Sequence, residues 1–210
     1  MKGLLFISHQ TARYSTLDSI QLALEGGCKQ IQLRMKDTPR EEIIKTAKTA
    51  LELCKTYNAE LFINDDVSVC KEIKATGVHL GKKDLPPSQA REILSKGSII
   101  GGTANTWEDV LYLQEEGVDY IGLGPYQYTT TKKDLAPMLG LDGYKRILSL
   151  AHNNEIEIPI LAIGGITAED IPKLLELGIS GIALSSSILK AENPIKETQK
   201  IIRIIQKTKK

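Results

Sequence analysis

The chain has 210 residues, of which 41% are hydrophobic and 25% are charged, and its 27 Lys and Arg residues nearly balance 26 Asp and Glu residues. This composition is typical of one compact globular domain that needs neither a disulfide nor a structural metal to fold. The small net charge of +1 argues against a general nucleic-acid binder, because such binding depends on clustered, unpaired cations.

The cysteines and the apolar runs predict where the protein works. Cys28, Cys54 and Cys70 have neither the even number of a disulfide framework nor the spacing of a zinc site, so we expect buried, reduced thiols. The apolar run at residues 4–7 is shorter than the core of a signal peptide, and no stretch approaches the roughly 20 residues of a membrane helix. We therefore expect a cytoplasmic protein with no membrane or nucleic-acid partner.

Short apolar runs alternate with amphipathic stretches along the chain, a pattern typical of parallel strands joined by helices. Apolar stripes predict helices over residues 40–55 and 107–116. The predicted strands span residues 4–8, 30–34, 60–63, 77–80, 98–102, 119–123, 159–163 and 181–184. Eight such units without a Pro- or Ser-rich linker predict a single α/β domain over residues 1–210, a (β/α)₈ TIM barrel.

One long connection, residues 124–140, lacks helical periodicity. Long ordered loops in small domains usually carry function, so we predict a lid over the catalytic face. An incidental surface loop is the alternative.

The second predicted strand continues into the motif QLRMK, residues 32–36. The period of two places Gln32, Arg34 and Lys36 on one side, and two cations facing the lumen predict a bound phosphate. The alternative is that Arg34 and Lys36 merely pair with Asp65 or Asp84. A Schiff-base role for Lys36, as in barrel aldolases, fits its spacing from Arg34 less well.

Acidic residues follow the third and fourth predicted strands. Asn64, Asp65 and Asp66 follow one of them, and Asp84 follows the other. Two carboxylates and an amide oxygen suit Mg²⁺ that also holds a substrate phosphate, so we assign Asp65 and Asp84 to a metal site. Asp66 instead has the position of a helix N-cap.

Small and hydroxyl residues follow the later strands. We expect the glycines of residues 101–103 to let backbone approach a ligand, and Gly164-Gly165 with the serines of residues 185–187 to bind phosphate through N–H groups. The layout predicts two anion sites and hence two phosphorylated substrates, one of them a metal-bound diphosphate that serves as leaving group.

The motifs together resemble the thiamine-phosphate synthase family. They are QLRMK (residues 32–36), INDD (63–66), GVHLGKKD (77–84), GGTANT (101–106), DYIGLGP (119–125), TTTKKD (129–134) and AIGGI (162–166). The resemblance implies a Mg²⁺-dependent barrel transferase. It joins the hydroxymethylpyrimidine of a diphosphate to the nitrogen of thiazole phosphate, giving thiamine phosphate and pyrophosphate by a dissociative mechanism.

The resemblance also implies the role of each site residue. Asp65 and Asp84 hold the metal, and Arg34, Lys36 and Lys132 are catalytic. The pyrimidine diphosphate is bound by Gln32, Leu33, Arg34, Met35, Lys36, Asn64, Thr103 and Lys132. The thiazole phosphate is bound by Thr129, Thr130, Thr131, Gly165, Ser185 and Ser186.

The sequence departs from the family pattern at several positions. Thr103 replaces a frequent serine, Tyr128 a frequent proline, and Lys82-Lys83 a Gln-Glu pair, whose added positive charge beside Asp84 is expected to alter diphosphate affinity. The main alternative is a thiazole tautomerase-like or regulatory thiazole-phosphate-binding barrel. That relative uses a histidine where this chain has Asn105 and tends to lack the metal site. A single-substrate sugar-phosphate isomerase is a further alternative.

Overall fold

Eight parallel strands close into a barrel in sequence order, with β8 pairing back onto β1. This computed structural model describes residues 1–129 and 136–208. The strands are β1 Gly3–Ile7, β2 Gln30–Leu33, β3 Glu60–Asn64, β4 Gly77–Leu80, β5 Ile99–Ala104, β6 Tyr120–Leu123, β7 Ile160–Ile163 and β8 Gly181–Leu184. The predicted (β/α)₈ fold is confirmed, and each predicted strand is present with small shifts at its ends.

Helices cover the outside of the barrel. They are α1 Thr16–Glu25, α2 Arg40–Thr56, α3 Val67–Ile73, α4 Pro87–Ile93, α5 Trp107–Glu115, α6 Gly140–Asn153, α7 Ile171–Glu176, α8 Ser186–Leu189 and α9 Pro194–Thr208. Capping boxes at Ser15 and Thr106 start α1 and α5, because each side-chain oxygen accepts a backbone N–H of the first turn. Within the described ranges, no helix is both long enough and apolar enough to span a bilayer.

Strand side chains alternate between the helix layer and the barrel lumen. Leu4 and Phe6 of β1, for example, pack in the outer core against the helices. The lumen is filled by a second cluster consisting of Leu5, Ile7, Phe62, Tyr120, Leu161 and Ala183. Because the interior is packed with side chains, a substrate can bind only at an end of the barrel.

Two glycines of β5 make room for side chains. A Cβ at Gly101 would lie 2.1 Å from Cζ of Tyr120 in the lumen, and one at Gly102 would lie 2.3 Å from Cδ2 of Leu113 on α5. Both distances are far shorter than carbon atoms tolerate. The expectation that these glycines admit a ligand is therefore corrected: they admit the packing of Tyr120 and Leu113.

The three cysteines are free thiols buried in the core, as the sequence predicts. Burial raises the pKa of Cys28 to about 11 and those of Cys54 and Cys70 to about 12. They stay protonated at neutral pH and serve as apolar core residues.

Candidate functional site

Inward-facing polar side chains meet at the carboxyl end of the barrel. Gln32, at the end of β2, is only 2% exposed, and its Nε2 donates a hydrogen bond of 2.7 Å to Oδ1 of Asn64 on β3. The other amide atom, Gln32 Oε1, is buried without a hydrogen-bond partner among the described residues. Because a buried acceptor without a partner destabilises the protein, this atom is suited to a ligand that donates a hydrogen bond.

Two cations follow Gln32. The backbone N–H of Arg34 donates to Ser8 Oγ at 2.9 Å, which fixes the chain where it leaves β2. Burial lowers the pKa of Arg34, while the negative charges of Asp65 and Asp37 raise it, and a guanidinium keeps its proton in either case. Arg34 is thus a half-buried positive charge at the barrel mouth.

Lys36 pairs with Asp65, the ion pair that the sequence left open as an alternative to phosphate binding. The Lys36 side chain is 50% exposed, so this bond contributes at most about 1 kcal/mol to stability. An incoming phosphate can compete for so weak a bond. The pairing and the anion-binding role are therefore compatible.

The other two residues of the QLRMK motif lie elsewhere. Leu33 is buried in the core between strands and helices, and Met35 packs against the same core. Of Leu33, only the backbone is available to a ligand.

Asp65 and Asp84 come together at the ends of β3 and β4, as the sequence predicts. Asp65 has a left-handed backbone with φ of 68°, and its N–H donates to the carbonyl of His79 at 2.8 Å. The N–H of Gly81 donates to Asp84 Oδ2 at 2.6 Å, and the Asp84 carboxyl group lies close enough to that of Asp65 to interact with its negative charge. Partial burial and the Asp65 carboxylate raise the pKa of Asp84 to about 6.

This carboxylate pair has the donor chemistry of a Mg²⁺ site. The described ranges contain no cluster of three or more His, Cys, Asp or Glu side chains able to hold a metal. A site with two carboxylates leaves most of an octahedral shell to water and substrate oxygens, which is the usual arrangement for Mg²⁺. A divalent cation would also relieve the repulsion between the two carboxylates, so the residues fit the ion.

Asp66 is the N-cap of α3, as predicted. Its Oδ1 accepts the N–H of Val69 at 2.8 Å and the hydroxyl of Ser68 at 2.7 Å. Its side chain is therefore used in starting the helix.

A buried network of hydrogen bonds near Asp65 was not predicted from the sequence. His79 on β4 contacts the Tyr120 hydroxyl of β6 through Nδ1 and the Thr103 hydroxyl of β5 through Nε2, each at 3.0 Å. The alternation of side chains along β4 could have predicted that His79 faces the lumen, because its neighbours Val78 and Leu80 face outward.

Lys82 does not place a free charge beside Asp84. Its Nζ lies 2.7 Å from Oδ1 of Asp109 in α5, and Asp109 also accepts the N–H groups of Asn105 and Thr106. The expectation of an added positive charge beside Asp84 is corrected for Lys82, whose charge is neutralised by Asp109. Lys83 is exposed.

The opposite side of the mouth contains the described members of the predicted thiazole-phosphate set. Gly165 has φ of 68°, and a Cβ there would lie 2.6 Å from the carbonyl oxygen of Tyr128. Ser185 Oγ is buried without a hydrogen-bond partner among the described residues, and Ser186 begins α8. Thr129 is half-buried at the end of a described segment.

Three predicted site residues, Thr130, Thr131 and Lys132, lie outside the described residues, so their roles stay predictions. The predicted lid over residues 124–140 also stays a prediction, because residues 130–135 within it are not described. The described parts of this connection are anchored, because the N–H groups of Tyr126 and Gln127 each donate at 2.9 Å, to the carbonyls of Ile163 and Gly164.

Asn105 lies where the related tautomerase is expected to have a histidine. Its Nδ2 donates to the carbonyl of Gly124 at 2.5 Å, which links the β5–α5 loop to the end of β6. In this chain the position therefore has a side chain that braces a loop and cannot exchange a proton near neutral pH.

The fold is a closed parallel barrel, and cations, acidic side chains and polar atoms without a partner among the described residues meet at its carboxyl end. These features are those of a (β/α)₈-barrel enzyme. A family model described as thiamine monophosphate synthase matches residues 4–188. The chain belongs to this family.

Individual relatives agree with the family match. The thiamine-phosphate synthase of Bacteroides thetaiotaomicron is 54% identical over 204 residues, 97% of this chain and 98% of that protein. That of Phocaeicola vulgatus is 55% identical over 199 residues, 95% of this chain and 96% of that protein. A solved thiamine phosphate pyrophosphorylase from Pyrococcus furiosus superposes with a TM-score of 0.86 at 32% identity, covering 98% of this chain and 96% of that one.

Proposed function

We propose that the protein is a Mg²⁺-dependent thiamine-phosphate synthase. It transfers the hydroxymethylpyrimidine group from its diphosphate to the nitrogen of thiazole phosphate and releases pyrophosphate. One observation carries this proposal beyond family membership: the Asp65 and Asp84 carboxyl groups interact electrostatically at the barrel mouth, and Lys36 is bound to Asp65. Such a cluster suits a metal-bound diphosphate better than a phosphate monoester.

The diphosphate lies, in this proposal, on the β2 to β5 side of the mouth. Asp65 and Asp84 would hold Mg²⁺, which would supply positive charge to offset that of the pyrophosphate leaving group. Arg34, Lys36 and Lys132 bind its oxygens and stabilise the charge that develops as the bond breaks.

The pyrimidine ring lies against the side-chain amides below the diphosphate. Gln32 Oε1, buried without a described partner, accepts a hydrogen bond from the ring's amino group. Asn64, whose Oδ1 accepts the Gln32 amide, holds that amide in place. Thr103 contributes its hydroxyl to the same half of the site.

The thiazole phosphate lies on the β7 and β8 side. Ser185 Oγ, another buried oxygen without a described partner, donates to the phosphate together with Ser186 and the backbone at Gly165. Thr129, Thr130 and Thr131 also bind this phosphate in the proposal. Two separate anion sites then hold the thiazole nitrogen opposite the carbon that loses pyrophosphate.

Catalysis is mainly positioning and electrostatic stabilisation. Pyrophosphate leaves first, the electron-rich aminopyrimidine stabilises the resulting cation, and the thiazole nitrogen captures it. Holding both reactants in one site makes this capture effectively intramolecular, so the reaction requires no side-chain nucleophile. The partners are small phosphorylated molecules, and we place the enzyme in the cytoplasm, in keeping with its three reduced, buried thiols.

Calorimetry on Asp65→Asn tests the division into two half-sites. The variant should lose binding of pyrophosphate in the presence of Mg²⁺, while the affinity for thiazole phosphate stays within about twofold of the wild type, since Asp65 lies on the other side of the mouth. Ser185→Ala should show the converse. Loss of thiazole-phosphate binding in Asp65→Asn would contradict the proposed partition.

A further inference from the structure

We propose that His79 and Tyr120 act as positioning residues that fix the direction of the Thr103 hydroxyl, so that Thr103 donates a hydrogen bond to the bound diphosphate. The effect on turnover rests on the proposed function, whereas the direction of the hydrogen bonds can be tested without it.

The three side chains form one chain of hydrogen bonds from the lumen to the mouth. Tyr120 is fully buried, His79 is 7% exposed, and Thr103 is partly exposed to solvent. They lie on the adjacent strands β6, β4 and β5, and both hydrogen bonds measure 3.0 Å. The buried Tyr120 hydroxyl can therefore influence the orientation of the Thr103 hydroxyl at the mouth.

Packing holds both rings in place. Gly101 leaves the space for the Tyr120 ring, and a Cβ at Gly122 would lie 3.1 Å from Cε1 of His79. The edge of Phe62 meets Tyr120 with ring centroids 6.1 Å apart, and the His79 and Tyr120 rings are 5.4 Å apart. The rings have little freedom to rotate, so packing fixes the geometry of the hydrogen-bonded series Tyr120–His79–Thr103, called here the relay.

The donor and acceptor strengths of Tyr120, His79 and Thr103 set the direction of their hydrogen bonds. A neutral imidazole has one N–H donor and one acceptor nitrogen. The phenol of Tyr120 is a better donor than the aliphatic hydroxyl of Thr103, so Tyr120 donates to Nδ1 of His79. The Nε2–H then donates to Thr103 Oγ1, and the Thr103 proton is left for another acceptor.

Burial raises the pKa of Tyr120 far above its ordinary value, which keeps the phenol protonated and able to donate. Phosphate oxygens only accept hydrogen bonds, so a diphosphate needs the Thr103 hydroxyl as a donor. If the hydrogen bonds had the opposite direction, Thr103 would donate to His79 and present only lone pairs to an anion.

Nitrogen NMR of the resting protein tests the direction of the relay. The chain has three histidines, His9, His79 and His152, so ring ¹⁵N labelling gives few signals, and His79→Gln assigns the relevant pair by their loss. We expect His79 as the neutral Nε2–H tautomer and a shift toward the Nδ1–H tautomer in Tyr120→Phe. An Nδ1–H tautomer or an imidazolium in the wild type would overturn the proposal.

A double-mutant cycle tests the effect on turnover. Tyr120→Phe should lower kcat/KM for the pyrimidine diphosphate by roughly tenfold, with an unchanged KM for thiazole phosphate, because a donor to a charged group is lost. In a Thr103→Ala background the same change should have almost no further effect. Equal losses in both backgrounds would mean that Tyr120 acts through the fold alone.

Tyr144→Phe is the matched control. Tyr144 is a fully buried tyrosine whose hydroxyl donates to the backbone carbonyl of Leu123, but it packs in the outer core rather than the lumen. It should lower thermal stability without shifting the His79 tautomer. A tautomer shift in this control would overturn the relay, because it would show that any lost buried hydroxyl has the same effect. Failure of turnover in every variant and in the wild type would refute the proposed function and leave the NMR result to decide the relay.

Discussion

Removing one carboxylate of the proposed metal site, Asp65 and Asp84, should make the protein more stable in the absence of metal while removing its activity. Asp84 is partly buried against Asp65, which raises its pKa from 3.8 to about 6. The Asp84→Asn change removes the like-charge repulsion. It also keeps an oxygen that can accept the Gly81 N–H, the hydrogen bond of 2.6 Å that holds this side chain.

The size of the effect follows from the pKa shift. A raised folded pKa means that ionised Asp84 destabilises the folded protein above about pH 6, whereas below its unfolded pKa of 3.8 both states are protonated and the penalty vanishes. At about 1.4 kcal/mol per pKa unit the upper limit is about 3 kcal/mol. Solvent screening of this partly exposed group reduces it to about 1 kcal/mol, or about 2–4 °C in melting temperature.

Thermal unfolding in EDTA at pH 7.5 and pH 4 measures this effect, with Asp66→Asn as the control. Asp66 lies next to the pair, and asparagine is an equally good N-cap, so the control should melt close to the wild type. Mg²⁺ with pyrophosphate should then stabilise the wild type and the control but not Asp84→Asn. An Asp84→Asn protein that melts below the control in EDTA at pH 7.5 would refute the reasoning.

Three further substitutions test other parts of the site. Lys36→Ala should lower turnover on the order of a hundredfold and the free energy of unfolding by less than about 1 kcal/mol, since its ion pair with Asp65 is half exposed; steady-state kinetics and urea unfolding measure the two effects. Lys82→Ala should lower the melting temperature by about 2 °C more than Lys83→Ala in calorimetric scans, because only Lys82 neutralises an N-terminal carboxylate of α5. Ser185→Ala should leave the melting temperature unchanged but weaken thiazole-phosphate binding about tenfold by calorimetry, because its Oγ has no described partner to lose.

The fold could be predicted from local patterns because a (β/α)₈ barrel repeats one local unit. Each strand is a short apolar run bounded by polar residues, and the order of strands in the barrel is simply their order in the chain. The proximity of Asp65 and Asp84 could be predicted for the same reason: neighbouring parallel strands end at the same rim.

Contacts that depend on register could not be predicted. Lys82 and Asp109 are 27 residues apart, and nothing in the local sequence indicates that a loop lysine neutralises a helix cap. The contact between His79 and Tyr120, separated by 41 residues, spans two strands and needs the inward faces of β4 and β6 to be aligned. The packing role of Gly101 could not be predicted either, because the register of β5 against β6 is what brings the Tyr120 ring beside it.

The most direct test is to incubate the purified protein with hydroxymethylpyrimidine diphosphate and thiazole phosphate, with Mg²⁺ and with EDTA, and to detect thiamine phosphate by oxidation to fluorescent thiochrome. We predict product that requires both substrates and the metal. No product in Mg²⁺, from a protein that still binds thiazole phosphate by calorimetry, would contradict the proposed synthase activity.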